Sequence, residues 1–247
     1  MQEDRGRRQR QAETIVAMGE SLDLAVPEVV AVAEGPGDKA RGPGCRIVLE
    51  NRDAISMALD HPGTSVCVLV FCSNSRPGGG WLNGAQAQEE DIALCSTWAL
   101  QADRARDFYL ADKDLRKWGS DGVLWASPVR ILCDSALVWL GGERPVSMAG
   151  VTAPNMRGLE ESRRGDAERR LAERLAAALA CAERAGIEVF VGGAIGCGVF
   201  GHDPSHVAAM WKALAETGPY SGDLVLALPG PPDDRNLAVF RAVFGTR

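Results

Sequence analysis

The sequence of 247 residues is poor in the features that mark several classes of protein. It has no apolar run near the roughly 18 residues of a membrane-spanning helix, and its start, Met1 to Arg8, is too polar for a signal peptide. Basic residues are not in excess, since 27 Lys and Arg face 33 Asp and Glu and the net charge is −6. This charge argues against affinity that comes mainly from the phosphates of a bare duplex. We therefore expect a cytoplasmic protein that does not bind membranes.

Patterns of metal binding are also scarce. The chain has three histidines, and its seven cysteines form no C-x-x-C pair and mostly lie in apolar runs, which predicts reduced core thiols. His202 and His206 are four residues apart and could share a helix face, so a zinc site there stays open as an alternative, although no third ligand is apparent nearby. We expect no metal and no cofactor.

What the sequence does contain is an alternation of strand and helix patterns typical of α/β proteins. Strands are predicted at 29–33, 46–50, 66–71, 123–132, 146–152, 188–191 and 224–228, and helices at 8–19, 53–60, 89–100, 166–184, 204–216 and 233–244. A Gly/Pro-rich loop is predicted at 35–44. We expect an α/β fold with a mixed sheet between helices and an N-terminal helical extension, with residues 1–10 as a polar tail and 11–247 as a single domain.

The most informative segment runs from Gly78 to Glu90. The glycines Gly78, Gly79 and Gly80 suit a place where the backbone lies against a ligand or adopts positive φ. Ten residues on, Glu89 and Glu90 are predicted in the first turn of a helix, whose dipole favours carboxylates. Adjacent carboxylates beside such a loop favour a raised pKa in one of them, which suits a proton donor. The segment predicts an acid/base site, with compensation of the helix dipole as the alternative.

A second glycine-rich loop, Gly192 to Gly201, follows a predicted strand and precedes a predicted helix. Gly196 to Gly201 matches G-x-G-x-x-G, but a dinucleotide-binding fold needs further strand-helix units, and only 46 residues remain after Gly201. Glycine-rich amides ahead of a helix N-terminus bind anions in any fold, so a pyrophosphate is a good candidate ligand. A tight turn without a ligand is the alternative.

Two side chains in this second loop have competing interpretations. Phe200 is well placed to stack on a sugar or a base, although core packing would also explain an aromatic ring there. Cys197 could be a nucleophile only with a nearby base, for which His202 is the candidate in the sequence. We interpret Cys197 as a small filler instead.

Together these segments resemble a known family. The run Arg76 to Leu82, then Gln88-Glu89-Glu90, and far downstream Gly193 to Pro204 closely resemble the bacterial-type poly(ADP-ribose) glycohydrolases, which are macrodomain proteins. That family's signature places three glycines six to eight residues before Gln-Glu-Glu, and the seven residues 81–87 match it. Residues 12–14, 127–129 and 151–155 look like further landmarks, so the resemblance covers about 11–245.

The resemblance implies a macrodomain-like fold and a metal-free glycosidase. It implies that Glu90 is the general acid at the ribose–ribose bond, that Glu89 holds the distal ribose, and that Phe200 packs on that ribose. It also implies that the substrate-binding residues are Gly78, Gly79, Gly80, Asn83, Gln88, Ala194, Ile195, Gly196, Cys197, Gly198, Val199, Phe200 and Gly201.

The implied partner is ADP-ribose or poly(ADP-ribose) on a modified protein or nucleic acid, bound by a monomer. Two other functions are kept as alternatives. One is a non-catalytic reader of ADP-ribose, which has no need of a proton donor, and the other is a nucleotide-dependent oxidoreductase.

Overall fold

The computed structural model describes residues 2–32, 44–110, 112 and 114–245. Within them the chain forms a seven-stranded mixed sheet in the order β1-β4-β5-β3-β6-β7-β2. The strands are β1 (Glu28–Ala31), β2 (Arg46–Glu50), β3 (Val66–Cys72), β4 (Gly122–Cys133), β5 (Trp139–Thr152), β6 (Val189–Gly192) and β7 (Asp223–Ala227). The pairs β5–β3, β3–β6, β6–β7 and β7–β2 are parallel, whereas β1–β4 and β4–β5 are antiparallel.

Helices cover both faces of this sheet. They are α1 (Gln2–Gly19), α2 (Ala54–Leu59), α3 (Gln88–Cys95), α4 (Trp98–Ala102), α5 (Glu161–Arg184), α6 (Pro204–Thr217) and α7 (Arg235–Phe244). The core under α5, α6 and α7 includes Leu69, whereas the core under α2, α3 and α4 includes Val68 and Val70. Alternate residues of β3 thus enter opposite cores, as expected of a strand buried on both faces. The predicted mixed α/β architecture is confirmed.

Strands β3 and β6 stop pairing before the carboxyl end of β3 is reached. β3 pairs with β5 as far as Cys72 and Thr152, but its pairing with β6 ends at Val68 and Val191. Beyond that point the side chain of Gln88 takes the place of a strand. Since parallel strands end at the same edge of the sheet, the loops that follow β3 and β6 meet there.

Helix α1 begins earlier than predicted, because residues 2–10 form its first turns rather than a polar tail. Ala12 and Ile15 are fully buried against Trp81 and Leu94, which explains the predicted part of the helix. The first turns carry arginines instead of an apolar stripe, so periodicity does not predict them. Arg8 is nevertheless buried.

The helix predicted at 89–100 is two helices, α3 and α4. Ser96 is extended between them and forms a bridge with Ile131 of β4. Its hydroxyl donates to the Ile92 carbonyl, and Trp98 is fully buried at the start of α4. The pairing with β4 therefore breaks a segment whose apolar spacing looks continuous.

Other boundaries differ by a few residues or more. β5 begins at Trp139 and α5 begins at Glu161, so both start earlier than predicted, because each extends beyond its buried part as an exposed end. The predicted loop at 35–44, except Gly44, and the end of the first predicted strand lie outside the described residues.

Candidate active site

A cleft of about 770 Å³ lies at the carboxyl ends of the parallel strands. Gly79, Gly80, Gln88, Glu89 and Glu90 line one part of it, and Ala194 to Gly196 with Gly198 to Phe200 line another. Ala153 after β5 and Leu228 after β7 complete the walls. The structure therefore brings the two glycine-rich loops, which are far apart in the sequence, to one cavity.

The first turn of α3 carries the paired glutamates, as predicted. Gln88 fastens this turn to the sheet, since its Nε2 donates to the Leu69 carbonyl at 2.7 Å and its Oε1 accepts from the Phe71 N–H at 2.9 Å. Both ends of the amide are thus occupied by β3. The predicted contact of Gln88 with substrate stays a prediction.

Glu89 points into the protein and is only 2% exposed. Its Oε2 accepts from the Ser73 N–H at 2.6 Å, and its Oε1 accepts from the Gly78 N–H at 3.1 Å and from the Tyr109 hydroxyl at 3.3 Å. Burial raises the pKa of Glu89 to about 8, opposed by the Ser73 N–H and reinforced by the charge of Glu90. Glu89 therefore holds the glycine loop against β3 and the segment that carries Tyr109.

The pH dependence of stability should report this burial. An unfolded glutamate has a pKa of about 4.3, so the folded state keeps the Glu89 proton to higher pH and the free energy of unfolding falls between about pH 4.5 and 8. We expect Glu89→Gln to remove this part of the decline. Urea unfolding of both proteins at about pH 5 and pH 8.5 measures it. An identical loss of stability in both proteins would show that Glu89 is ionised throughout.

Glu90 is half-buried and faces the cleft. Its Oε1 accepts from the Gly80 N–H at 2.9 Å. Among the described residues no hydrogen-bond donor reaches its Oε2, so Oε2 is the oxygen free to carry a proton toward a ligand. The glycine loop thus orients this carboxyl group as well as lining the cleft.

Gly79 shows why this loop needs glycine. Its φ is +59°, and a Cβ there would collide with Glu90 Oε1 and lie 2.9 Å from Glu90 Cδ. The sequence indicates that the backbone here lies against a ligand, which a side chain would obstruct. The structure shows a more direct conflict, which is with the carboxyl group of Glu90 itself.

The second loop offers a row of free backbone amides. Within the described part of the chain, the N–H groups of Gly198, Val199 and Phe200 donate to no protein acceptor. Three successive unpaired amides lie beside the N-terminus of α6, which Asp203 caps, and this arrangement is typical of backbone concavities that bind anions. Phe200 is half-buried next to them and lines the cleft.

The buried His202 stabilises the conformation of this second loop. Its backbone N–H donates to the Gly196 carbonyl at 3.0 Å, and its Nε2 lies 2.7 Å from the Pro154 carbonyl. Burial lowers the pKa of His202, so the ring is neutral and Nε2 is the donor. Gly196 has a φ of +77°, and a Cβ there would lie 2.6 Å from the ring, so this position also requires glycine.

Four predicted substrate contacts are not among the cleft-lining residues: Gly78, Asn83, Cys197 and Gly201. Asn83 is exposed, and its carbonyl accepts from Arg5 Nε at 2.9 Å. Cys197 is half-buried with its Sγ near the Ile195 carbonyl, and burial raises the pKa of its thiol to about 12. A nucleophilic thiolate at Cys197 is therefore not favoured.

The zinc alternative finds no support in the arrangement of the histidines. His202 bonds to Pro154, whereas the exposed His206 pairs with Glu168 at 2.6 Å. In the described ranges no three His, Cys, Asp or Glu side chains are grouped as metal ligands.

Two other sequence predictions can be compared with the structure. No helix among the described residues is long and apolar enough to cross a membrane. All seven cysteines are free and five are buried, as predicted.

Sequence reasoning missed several residues of the site. Tyr109 reaches Glu89 from 20 residues away without any recognisable pattern. Arg76 is exposed at the cleft beside the glycine loop. Its position two residues before Gly78 in the sequence is the feature that could have indicated a place in the site. Asp53, Pro229, Asp234 and Asn236 also line the cavity.

The fold and this cleft define an α/β enzyme with a carboxylic acid in the same cavity as a loop of unpaired backbone amides. Comparison with known proteins specifies it further. Residues 11–132 match the family model of the microbial-type PARG, catalytic domain, where PARG is poly(ADP-ribose) glycohydrolase. The resemblance seen in the sequence is thereby confirmed for residues 11–132.

Solved structures agree over a larger part of the chain. PARG from Thermomonospora curvata has a TM-score of 0.85 and 27% identity, covering 97% of this chain and 100% of that one. The same enzyme bound to the inhibitor ADP-HPD has a TM-score of 0.80 and 28% identity, covering 96% and 99%. PARG from Deinococcus radiodurans in complex with ADP-ribose has a TM-score of 0.73 and 26% identity, covering 82% and 86%. The search of curated proteins found no match.

Proposed function

We propose that this protein is a hydrolase that cleaves the O-glycosidic ribose–ribose bond of poly(ADP-ribose), or the bond that links ADP-ribose to a protein or nucleic acid, and releases ADP-ribose. The observation that carries the proposal is the free Oε2 of Glu90 in the same cleft as the unpaired amides of residues 198–200. One cavity thus offers a proton donor and a site for a diphosphate.

In the proposed binding pose, ADP-ribose spans the cleft from the second glycine-rich loop to Glu90. The diphosphate accepts hydrogen bonds from the amides of Gly198, Val199 and Phe200, where the N-terminus of α6 adds favourable electrostatic potential. The ring of Phe200 covers the distal ribose. The anomeric carbon of that ribose then faces Glu90 and the backbone of Gly79.

Glu90 acts as a single general acid. Its Oε2 protonates the leaving oxygen as the glycosidic bond breaks and positive charge develops on the ribose. Water then attacks the anomeric carbon and gives its proton to the Glu90 carboxylate, which restores the acid. Glu89 cannot act from the opposite side of the sugar, because it is the neighbouring residue on the same helical turn and is buried among three donors. Its predicted contact with the ribose remains part of the proposal.

A panel of substrates tests the proposed activity. Purified protein is incubated with poly(ADP-ribose), with mono-ADP-ribosylated protein and with ADP-ribosylated DNA, and free ADP-ribose is quantified by chromatography. We expect release from at least the polymer. Binding of ADP-ribose without release from any of the three would favour the non-catalytic reader instead.

Phe200→Ala tests the binding pose. Removing the ring should weaken ADP-ribose binding by roughly 1–3 kcal/mol, because a large apolar contact with the sugar is lost. Adenosine, which lacks the diphosphate and the distal ribose, should be affected much less. Calorimetry with both ligands measures the difference. Equal losses would place Phe200 at the adenine end of the cleft.

A further inference from the structure

Helix α1 lies across the segment that carries the glutamates. Three residues on one of its faces, spaced by three, donate hydrogen bonds to that segment. Arg5 Nε donates to the Asn83 carbonyl at 2.9 Å, Arg8 to the Ala85 carbonyl at 2.8 Å, and Gln11 to the Leu94 carbonyl at 3.2 Å. The helix thus contacts the loop before α3 and the end of α3 itself.

Arg8 makes the central contact. Its guanidinium group bonds to the Ala85 carbonyl and also forms an ion pair with Asp91 Oδ1 at 2.7 Å. The Arg8 side chain is only 10% exposed, whereas that of Asp91 is 58% exposed. Burying a guanidinium group is costly unless it is paired, and charge-assisted hydrogen bonds such as these are strong. The two contacts therefore fix Ala85 and Asp91 relative to each other.

The two groups that Arg8 bridges flank the acid. Asp91 follows Glu90 in the first turn of α3. Ala85 packs against Gly80, since a Cβ at Gly80 would lie 2.8 Å from the Ala85 Cβ, and the Ala85 N–H donates to the Gly80 carbonyl at 3.3 Å. Gly80 in turn donates its N–H to Glu90 Oε1. Arg8 is therefore connected to the Glu90 carboxyl group by two short routes.

We propose that Arg8 is a positioning residue, which ties the glycine loop to the first turn of α3 and so fixes the orientation of Glu90 in the cleft. The inference rests on the proposed function of Glu90. The part of the chain that matches the family model begins at residue 11 and does not contain Arg8. The second loop, with its free amides, is not contacted by Arg8, so ligand affinity and turnover should separate.

The test compares Arg8→Met with Arg10→Met, an exposed arginine on the same helix. We expect Arg8→Met to lower kcat on poly(ADP-ribose) at least tenfold with the Kd for ADP-ribose within about threefold of wild type, and Arg10→Met to leave both unchanged. Arg8→Lys, which can keep one of the two contacts, should recover part of kcat. If Arg8→Met does not fold, Asp91→Asn removes the charge of the exposed partner in the ion pair. This variant should fold and should have a lower kcat than wild type.

The outcomes separate this inference from the proposed function. Wild-type protein that releases ADP-ribose, combined with full kcat per folded molecule in both Arg8→Met and Asp91→Asn, overturns the role of Arg8 alone. A fall in kcat matched by an equal loss of ADP-ribose affinity would also overturn it, because that pattern indicates general disruption of the cleft. Wild-type protein without turnover overturns the proposed function itself.

Discussion

Glu90→Gln is expected to reduce release of ADP-ribose by a factor on the order of 10² to 10⁴, which is the usual contribution of a general acid. The amide keeps an oxygen that can accept from the Gly80 N–H, so the loop should keep its shape. It cannot supply a proton to the leaving oxygen. Steady-state kinetics on poly(ADP-ribose), with polymer and product separated by chromatography, measures the loss.

Binding provides the control for this variant. The Kd of Glu90→Gln for ADP-ribose should stay within about tenfold of wild type, or roughly 1.4 kcal/mol, because the contacts proposed for the diphosphate and for Phe200 lie elsewhere in the cleft. Near wild-type turnover in this variant would mean that the acid is assigned to the wrong residue.

Gly79→Val is the second large effect that we expect. The new side chain collides with the Glu90 carboxyl group and forces a branched residue into a φ of +59°. Displacing the acid should cost at least about a hundredfold in kcat, in line with the loss of a general acid. Kinetics together with circular dichroism show whether a folded protein has lost turnover.

Gly141→Val is the matched control for backbone strain. Gly141 has a φ of +69°, but a Cβ there meets nothing within 4 Å, and the residue is exposed near the start of β5 and does not line the cleft. Its substitution should cost some stability and leave kcat unchanged. A folded Gly79→Val protein as active as Gly141→Val would show that the glycine loop does not govern Glu90.

Local pattern was sufficient to predict the elements that build the cleft. The apolar run of β3 is long and β-branched because both of its faces are buried, and the glycines that follow it have few structural uses other than close approach. The N-terminal proline and aspartate of α6 likewise predict its start, which the structure confirms at Pro204.

Burial within the pair of glutamates could not be predicted from the sequence. Adjacent residues of a helix point in directions about 100° apart, so the two glutamates meet different surroundings, but the pattern does not say which of them faces inward. The structure buries Glu89, because Ser73, Gly78 and Tyr109 all supply donors on that side. The raised pKa thus belongs to Glu89, whereas the residue with an oxygen free in the cleft is Glu90.

The first turns of α1 and the break at Ser96 depend on tertiary contacts. Arg5 and Arg8 are helical because carbonyls of the loop before α3 and the carboxylate of Asp91 receive their guanidinium groups. Ser96 is extended because Ile131 pairs with it. Both features come from partners at least 35 residues away, which local periodicity cannot detect.

The most direct test of the account is to measure binding and turnover on one preparation of the wild-type protein. Calorimetry gives its affinity for ADP-ribose, and chromatography follows the polymer and free ADP-ribose over time. We predict saturable binding of ADP-ribose together with catalytic release of ADP-ribose as the polymer shortens. Saturable binding of ADP-ribose with no ADP-ribose released from polymer, modified protein or modified DNA would contradict the account.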